Sequence, residues 1–512
     1  TDTSTNSMYT HDVSGTDNDA NRNTAFGFAA LDAITTADDS TAFGAGALGA
    51  VTTGPYNTAV GAYAGGAITT GSRNLAIGHG AYQNSDTEND NIAIGHNAMN
   101  INTAGGQYNV AIGSYAADAL TSGDNNTVMG HNVASNLTTG GNNTAVGMDA
   151  LLATVSHNNS TAIGYQALRA NIAADNTAVG KDALALNTTG STNTAVGAAA
   201  LDANTTAEYN TAIGAYALSG ATTGSYNTAL GRGAGIAITT GTRNVAIGVD
   251  TLKAVTTGTN NTAIGTNAAG ATTGDDNVAV GKAALNANTT GDNNVAIGVN
   301  ALALSVSVDN SVAIGYDAGA NTVVAGIVAI GKDALKANTT GSVQVAIGHS
   351  AAKSNTTGQR NLAIGYRAYE GADTEVDNIA IGYHAMVTNN AGGNANVAVG
   401  NYALDALTSG DDNVAVGHNA LSSNNTGIRN EAFGTNAMYT NTSGGNNTGI
   451  GRQALYSNTT ASNCVGIGGN ALFANTTGAD NSAVGWGASE ANTTGAYNTS
   501  VGKYALAVNT TG

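Results

Sequence analysis

The chain has 512 residues, among them 70 glycines, one proline, one tryptophan and one cysteine, and only 10% of its residues are charged. A formal net charge of −18 argues against a nucleic-acid backbone or an anionic membrane surface as partner, and the lone Cys464 excludes an intrachain disulfide framework. The apolar fraction of 42% is carried mainly by small and β-branched side chains, which excludes a charge-rich disordered chain and predicts a folded protein with a thin core.

Residues 1–22 read as a degenerate first coil or lead-in segment. They lack the basic-then-apolar pattern of a signal peptide, and no run of 18 apolar residues follows, so membrane insertion is not expected. From residue 23 to 512 one motif repeats without linkers. It begins as Asn23-Thr24-Ala25-Phe26-Gly27 and ends as Asn498-Thr499-Ser500-Val501-Gly502, and 29 copies recur about every 17 residues. The full unit reads G-x-x-A-L-x-x-N-T-T-G-x-x-N-T-A-V. A period this short predicts units that bury themselves only against their neighbours. The expected fold is therefore all-β, a parallel β-solenoid (β-roll) of about 29 coils.

Within the unit, the run before the glycine alternates as a strand should. The residue before the glycine (Phe26, Val60, Ile77, Ile213) and the one two earlier share a face; the alanine between them takes the other. Both faces are apolar, as in strands buried on both sides. We expect the larger side chains to fill the coil and the alanine face to meet a second copy. The recurring glycine, as at Gly27, Gly61, Gly147, Gly197, Gly265, Gly315, Gly365, Gly417 and Gly502, reads as a positive-φ corner. The asparagine four before it, as at Asn57, Asn74, Asn143, Asn193, Asn244, Asn294, Asn361 and Asn413, is expected to stack into an axial ladder. At a strand spacing of about 4.8 Å such an array would form a rod of roughly 140 Å.

The run Ser311-Val312-Ala313-Ile314-Gly315, with Asn91–Gly95, Asn244–Gly248 and Asn294–Gly298, resembles the head repeats of YadA-like trimeric autotransporter adhesins and the N-T-A-I-G arrays of phage tail-fibre shafts. The resemblance covers residues 23–512. It implies a homotrimer, exposed outside the cell, at the cell surface or on a virion, and used for attachment. The period is longer than that of the adhesin heads, and no heptad stalk or anchoring barrel accompanies it. The chain starts without methionine and stops inside a unit at Asn509–Gly512, so it is expected to be a processed product or a segment of something longer.

Candidate sites are few. The glycine-lysine pairs at Gly180, Gly281 and Gly331 lack the Ser or Thr of a phosphate loop. The column after the glycine carries His79, His96, His131, Tyr165, Tyr366 and Trp486, and a second column five before the glycine carries Tyr56, Tyr108, Tyr209 and Tyr226 with Arg73, Arg243, Arg360 and Arg429. Both are expected to be exposed, the first without a metal, and Tyr56, Tyr108, Tyr209, Tyr226, Tyr366 and Trp486 are the candidate contacts for a glycan or host-surface receptor. Asn-Thr-Thr turns match the N-glycosylation pattern but suit turns for conformational reasons. No unique constellation supports catalysis, a metal or a cofactor. The expected function is a non-enzymatic structural fibre; a monomeric ice- or surface-binding solenoid and a self-assembling filament are the alternatives.

Overall fold

The computed structural model describes Met8 and residues 19–511. Of the lead-in, only Met8 and residues 19–22 are thus seen, and Met8 pairs in parallel with Thr24. The described residues contain no helix. They hold 29 strands of three residues, β1 (Thr24–Phe26) to β29 (Thr499–Val501), one in each coil. The chain divides into two compact units, Thr1–Thr259 and Asn260–Gly512; β14 (Val245–Ile247) is the last strand of the first and β15 (Thr262–Ile264) the first of the second. Each unit is an all-β parallel solenoid.

Pairing within each unit is strictly in register. Thr24, Ala25 and Phe26 lie opposite Thr41, Ala42 and Phe43, and Val278, Ala279 and Val280 opposite Val295, Ala296 and Ile297. Only three residues per coil are strand, yet axial hydrogen bonds run through the rest. The Leu31 N–H donates to Ala47 O (3.1 Å), Thr35 to Thr52 O (3.0 Å) and Gly46 to Phe28 O (2.8 Å). A chain with so few large side chains thereby satisfies its buried backbone coil against coil.

The motif glycines named above have φ between +123° and +141°, a region that L side chains rarely adopt. They are also crowded. A Cβ on Gly197 would lie 2.6 Å from the carbonyl oxygen of Gly214, and one on Gly214 would lie 2.5 Å from that of Gly231. Glycine is therefore required twice over at this corner. Less expected from the sequence, the motif leucine is left-handed as well: Leu31, Leu151, Leu201, Leu335 and Leu506 have φ between +49° and +55°. That conformation costs about 1–2 kcal/mol for a side chain with a Cβ. Except for Leu506 in the last coil, these leucines are fully buried, and burial returns roughly 1.5–3 kcal/mol each. The core offsets the strain.

The expectation for the two strand faces is overturned. It is the central alanine that points into the coil: Ala25, Ala59, Ala212 and Ala313 are 0–1% exposed. The larger neighbours point outward, with Phe26 55%, Val60 38% and Ile213 40% exposed. The interior of a 17-residue coil is already occupied by leucine, a second alanine (Ala30, Ala200, Ala334) and inward asparagines, which leaves room for only a methyl group from the strand.

Replacing the corner glycine should be costly. Gly214→Ala is expected to lower unfolding stability by at least about 2 kcal/mol, read as a shift in the denaturant midpoint followed by circular dichroism.

Candidate functional site

The asparagine column four before the glycine faces inward and is buried. The Asn74 N–H donates to Asn57 Oδ1 (2.9 Å), and the contact repeats from Asn143 to Asn126 (3.0 Å), Asn193 to Asn176 (3.0 Å), Asn244 to Asn227 (2.9 Å), Asn294 to Asn277 (3.0 Å) and Asn413 to Asn396 (2.9 Å). Asn361 Oδ1 accepts the N–H of Asn378 (2.9 Å). Each side-chain amide also donates forward, Asn57 to Gly71 O (2.8 Å) and Asn126 to Gly140 O (2.9 Å). One asparagine thus joins two coils by backbone and side chain at once. Cys464 stands in this column: its N–H donates to Asn447 Oδ1 (2.9 Å) and its Sγ to Gly478 O (3.2 Å). Burial raises the thiol pKa.

A second inner ladder was not read from the sequence. The asparagine of the Asn-Thr-Thr-Gly turn is buried too, and Asn204 Nδ2 donates to Asn187 Oδ1 (2.6 Å), Asn441 to Asn424 (3.0 Å) and Asn458 to Asn441 (3.0 Å). Asn187, Asn288 and Asn475 are 0% exposed, which is incompatible with a glycan on those side chains in the folded chain. The first threonine of the doublet is also engaged: Thr188 Oγ1 donates to Thr205 O (2.8 Å) and Thr476 Oγ1 to Thr493 O (3.0 Å). The signal that could have located this ladder is the frequent recurrence of asparagine at a turn position, as at Asn187, Asn204 and Asn288.

The outer columns carry the candidate contacts. Tyr56, Tyr108, Tyr209, Tyr226, Tyr366 and Trp486 are each between 45% and 59% exposed. Neighbouring coils bring like residues together: Tyr209 stacks on Tyr226 at 5.0 Å and Tyr366 on Tyr383 at 5.3 Å. Three of the arginines are not free contacts, because Arg73 pairs with Asp90 and Arg360 with Asp377, both at 2.6 Å, and Arg429 with Asp412 at 3.8 Å. His79 and His96 stack at 5.5 Å, and among the described residues no group of three or more His, Cys, Asp or Glu could hold a metal ion.

Superposed on the 17-residue period is a longer one. Residues 71–132 recur as 358–419, so that Arg73, Tyr82, Glu88, Asn91, Asn102 and Asp118 have Arg360, Tyr369, Glu375, Asn378, Asn389 and Asp405 as counterparts. Each segment contains an 18-residue step, Ile92 pairing with Val110 and Ile379 with Val397. Each also buries a tyrosine where leucine usually sits. Tyr82 Oη accepts from Asn91 Nδ2 (2.7 Å) and Tyr369 Oη from Asn378 Nδ2 (2.7 Å), and burial drives both phenols well above their ordinary pKa. Glu88 and Glu375 are 2% exposed, yet fully engaged. Glu88 accepts the N–H groups of Asp86 (2.8 Å), Thr87 (3.0 Å) and Gly105 (3.1 Å); Glu375 accepts those of Asp373 (2.7 Å), Thr374 (3.0 Å) and Gly392 (3.0 Å).

No protein-family model matches the chain, and no curated protein matches it.

Two predictions rest on this interior. Asn126→Leu keeps the branched shape of the side chain but strands the Asn143 N–H, and should destabilise the array by roughly 2–4 kcal/mol at about 1–3 for each orphaned group, measured by denaturant unfolding. Asp118 and Asp405 each leave a buried Oδ1 without a partner, and burial raises the Asp405 carboxyl from 3.8 to about 6. The folded state then holds a proton that the unfolded chain has released, so this group's contribution to stability falls as pH rises from 3.8 to about 6. Asp405→Asn should flatten the pH dependence in that window and raise the melting temperature at pH 7.

Proposed function

We propose that the chain is a non-enzymatic structural shaft, one strand of a homo-oligomeric fibre that works outside the cell or on a virion and supports attachment. The observation that carries this reading is the outward sheet face. In the second unit, nine successive strands from β16 (Val278–Val280) to β24 (Val414–Val416) each turn two aliphatic side chains outward, among them Val328 with Ile330, Val345 with Ile347 and Ile379 with Ile381. Continuous apolar patches of this kind mark interaction surfaces. Covering each partly exposed aliphatic side chain would return on the order of 1 kcal/mol, and nine coils of pairs together outweigh an association cost of about 4–15 kcal/mol. On this reading the seam runs along the Val/Ile face, opposite to the alanine face expected from the sequence. Three copies is the number suggested by the resemblance to the adhesin and tail-fibre repeats.

A second reading, a monomeric ice- or surface-binding solenoid, draws on the first unit. There seven successive strands from β7 (Thr127–Met129) to β13 (Thr228–Leu230) begin with a threonine, two residues before an outward apolar side chain. Such ranks would suit an ordered water layer.

Light scattering with negative-stain imaging separates the two. A mass three times 50.2 kDa in uniform particles is expected, and the double variant Ile330→Lys/Ile347→Lys should dissociate it while leaving the circular dichroism unchanged. A monodisperse particle of single-chain mass would overturn the fibre reading, and thermal hysteresis in that sample would favour ice binding.

A further inference from the structure

The two long-period segments are alike inside and different outside. Their buried tyrosine, glutamate and asparagines are the same, but the groove on the turn that follows the glycine is not. In the second segment that groove opens into a cleft of about 360 Å³, bordered by Lys353, Ser354, Arg367, Glu370, His384 and Thr388. The positional counterparts, which begin just ahead of the first segment, are Gly66, Ala67, Gly80, Gln83, Asn97 and Ile101, none of them charged. A cleft of about 320 Å³ also opens there, over Gly66, Ala67 and Gln83 with Tyr63 and Asp32 at its edge. One backbone frame therefore carries two different chemistries.

The second cleft is unusual for this chain. Against a net charge of −18, it gathers two cations and one carboxylate, and Arg367 already neutralises Glu370 through an ion pair. Lys353 is half-buried and has no ion pair among the described residues. Its ammonium is left as the uncompensated charge at the cleft. His384 is stacked on Tyr383 at 4.2 Å, and its Nε2 is buried without a hydrogen-bond partner. The remaining border supplies hydroxyls and amides: Ser354, Thr388 and, at the far edge, Asn390. The volume exceeds what a bare sulfate or phosphate fills, and the mixture of one free cation with several neutral donors and acceptors matches a hydroxylated ring bearing a single negative group.

We propose that this cleft binds one acidic sugar residue of a glycan, with its carboxylate or sulfate ester on Lys353 and Arg367 and its ring hydroxyls on Ser354, Glu370 and Thr388. The acid group meets the uncompensated Lys353 ammonium with the remaining N–H groups of Arg367 beside it, while Glu370, held in place by Arg367, accepts from a hydroxyl. The cleft of the first segment has Asp32 as its one charged border residue and no cation, so it does not bind the same ligand and one site per chain results. The site gives a ligand to the attachment reading and rests on it only for where that ligand is met; binding to a soluble oligosaccharide does not depend on how many chains assemble.

The test is calorimetric titration of the full chain with a uronate tetrasaccharide, a sulfated tetrasaccharide, a neutral tetrasaccharide and inorganic sulfate, all at one ionic strength. Binding of one or both acidic oligosaccharides is expected at roughly 0.1–1 mM with one site per chain, and the arm that binds identifies carboxylate or sulfate as the recognised group. Lys353→Ala should weaken it about 10-fold and Lys353→Glu abolish it. Gly66→Ala, in the first cleft, should leave it unchanged. Lys353 is half-exposed, and an unaltered thermal midpoint confirms that its variants fold. The proposal fails if neither acidic oligosaccharide binds at several millimolar, if the neutral one or inorganic sulfate binds as tightly, or if Lys353→Glu binds like the parent chain.

Discussion

Hydrogen bonding along the axis is the constraint on which everything else in this protein depends. A 17-residue turn of chain encloses too little space for a conventional core, and the composition offers few large side chains to fill one. What it can do is repeat its backbone in register, so that each coil presents donors and acceptors where the next requires them. The buried asparagines extend this from the strand to the turn. Asn126 accepts from the backbone of Asn143 and donates to the carbonyl of Gly140, fastening strand entry and turn exit with one side chain. The left-handed leucines and crowded glycines follow from the same demand. They bend the chain tightly enough to close a coil whose interior is lined by methyl groups and amides.

Much of this was legible in the sequence, for a physical reason. A solenoid contact links equivalent positions of successive units, so the period of the sequence is also the period of the structure, and a buried amide that must meet its own copy recurs at fixed spacing. Which face of the strand lies inside was not legible. Alternation states that Val312 and Ile314 share a face and Ala313 takes the other, but with apolar residues on both sides it does not say which is enclosed. The deciding quantity is interior volume, already taken up by residues such as Leu302 and Ala318 on the neighbouring turn. Nor does anything in the letters mark Leu31 or Leu201 as left-handed, since leucine has no preference for that region and adopts it here because its side chain is buried.

The outer surface obeys looser rules. Any residue there meets the same column above and below, so that arginine finds aspartate, tyrosine finds tyrosine, and Trp486 lies over Gly469, where a Cβ would fall 2.4 Å from its ring. The two long-period segments make the separation plain. Tyr82 and Tyr369 are held by the same amide partners, while the groove beside one is lined with glycine and that beside the other with lysine and arginine. Interior positions answer to geometry, and exterior positions are free to acquire chemistry.

The coils of unequal length carry a further consequence. Whether a step is 16, 17 or 18 residues, the strand residues still pair in register, because the difference is absorbed between the two buried asparagine columns, as between Asn102 and Asn109. Gain or loss of a whole coil would disturb still less, since it leaves every surviving contact with an equivalent neighbour. Each compact unit is in that sense graduated in coils: unequal crossing-over between its repeats would add or remove whole graduations, and the number of coils could change over generations while the cross-section of each coil stayed the same.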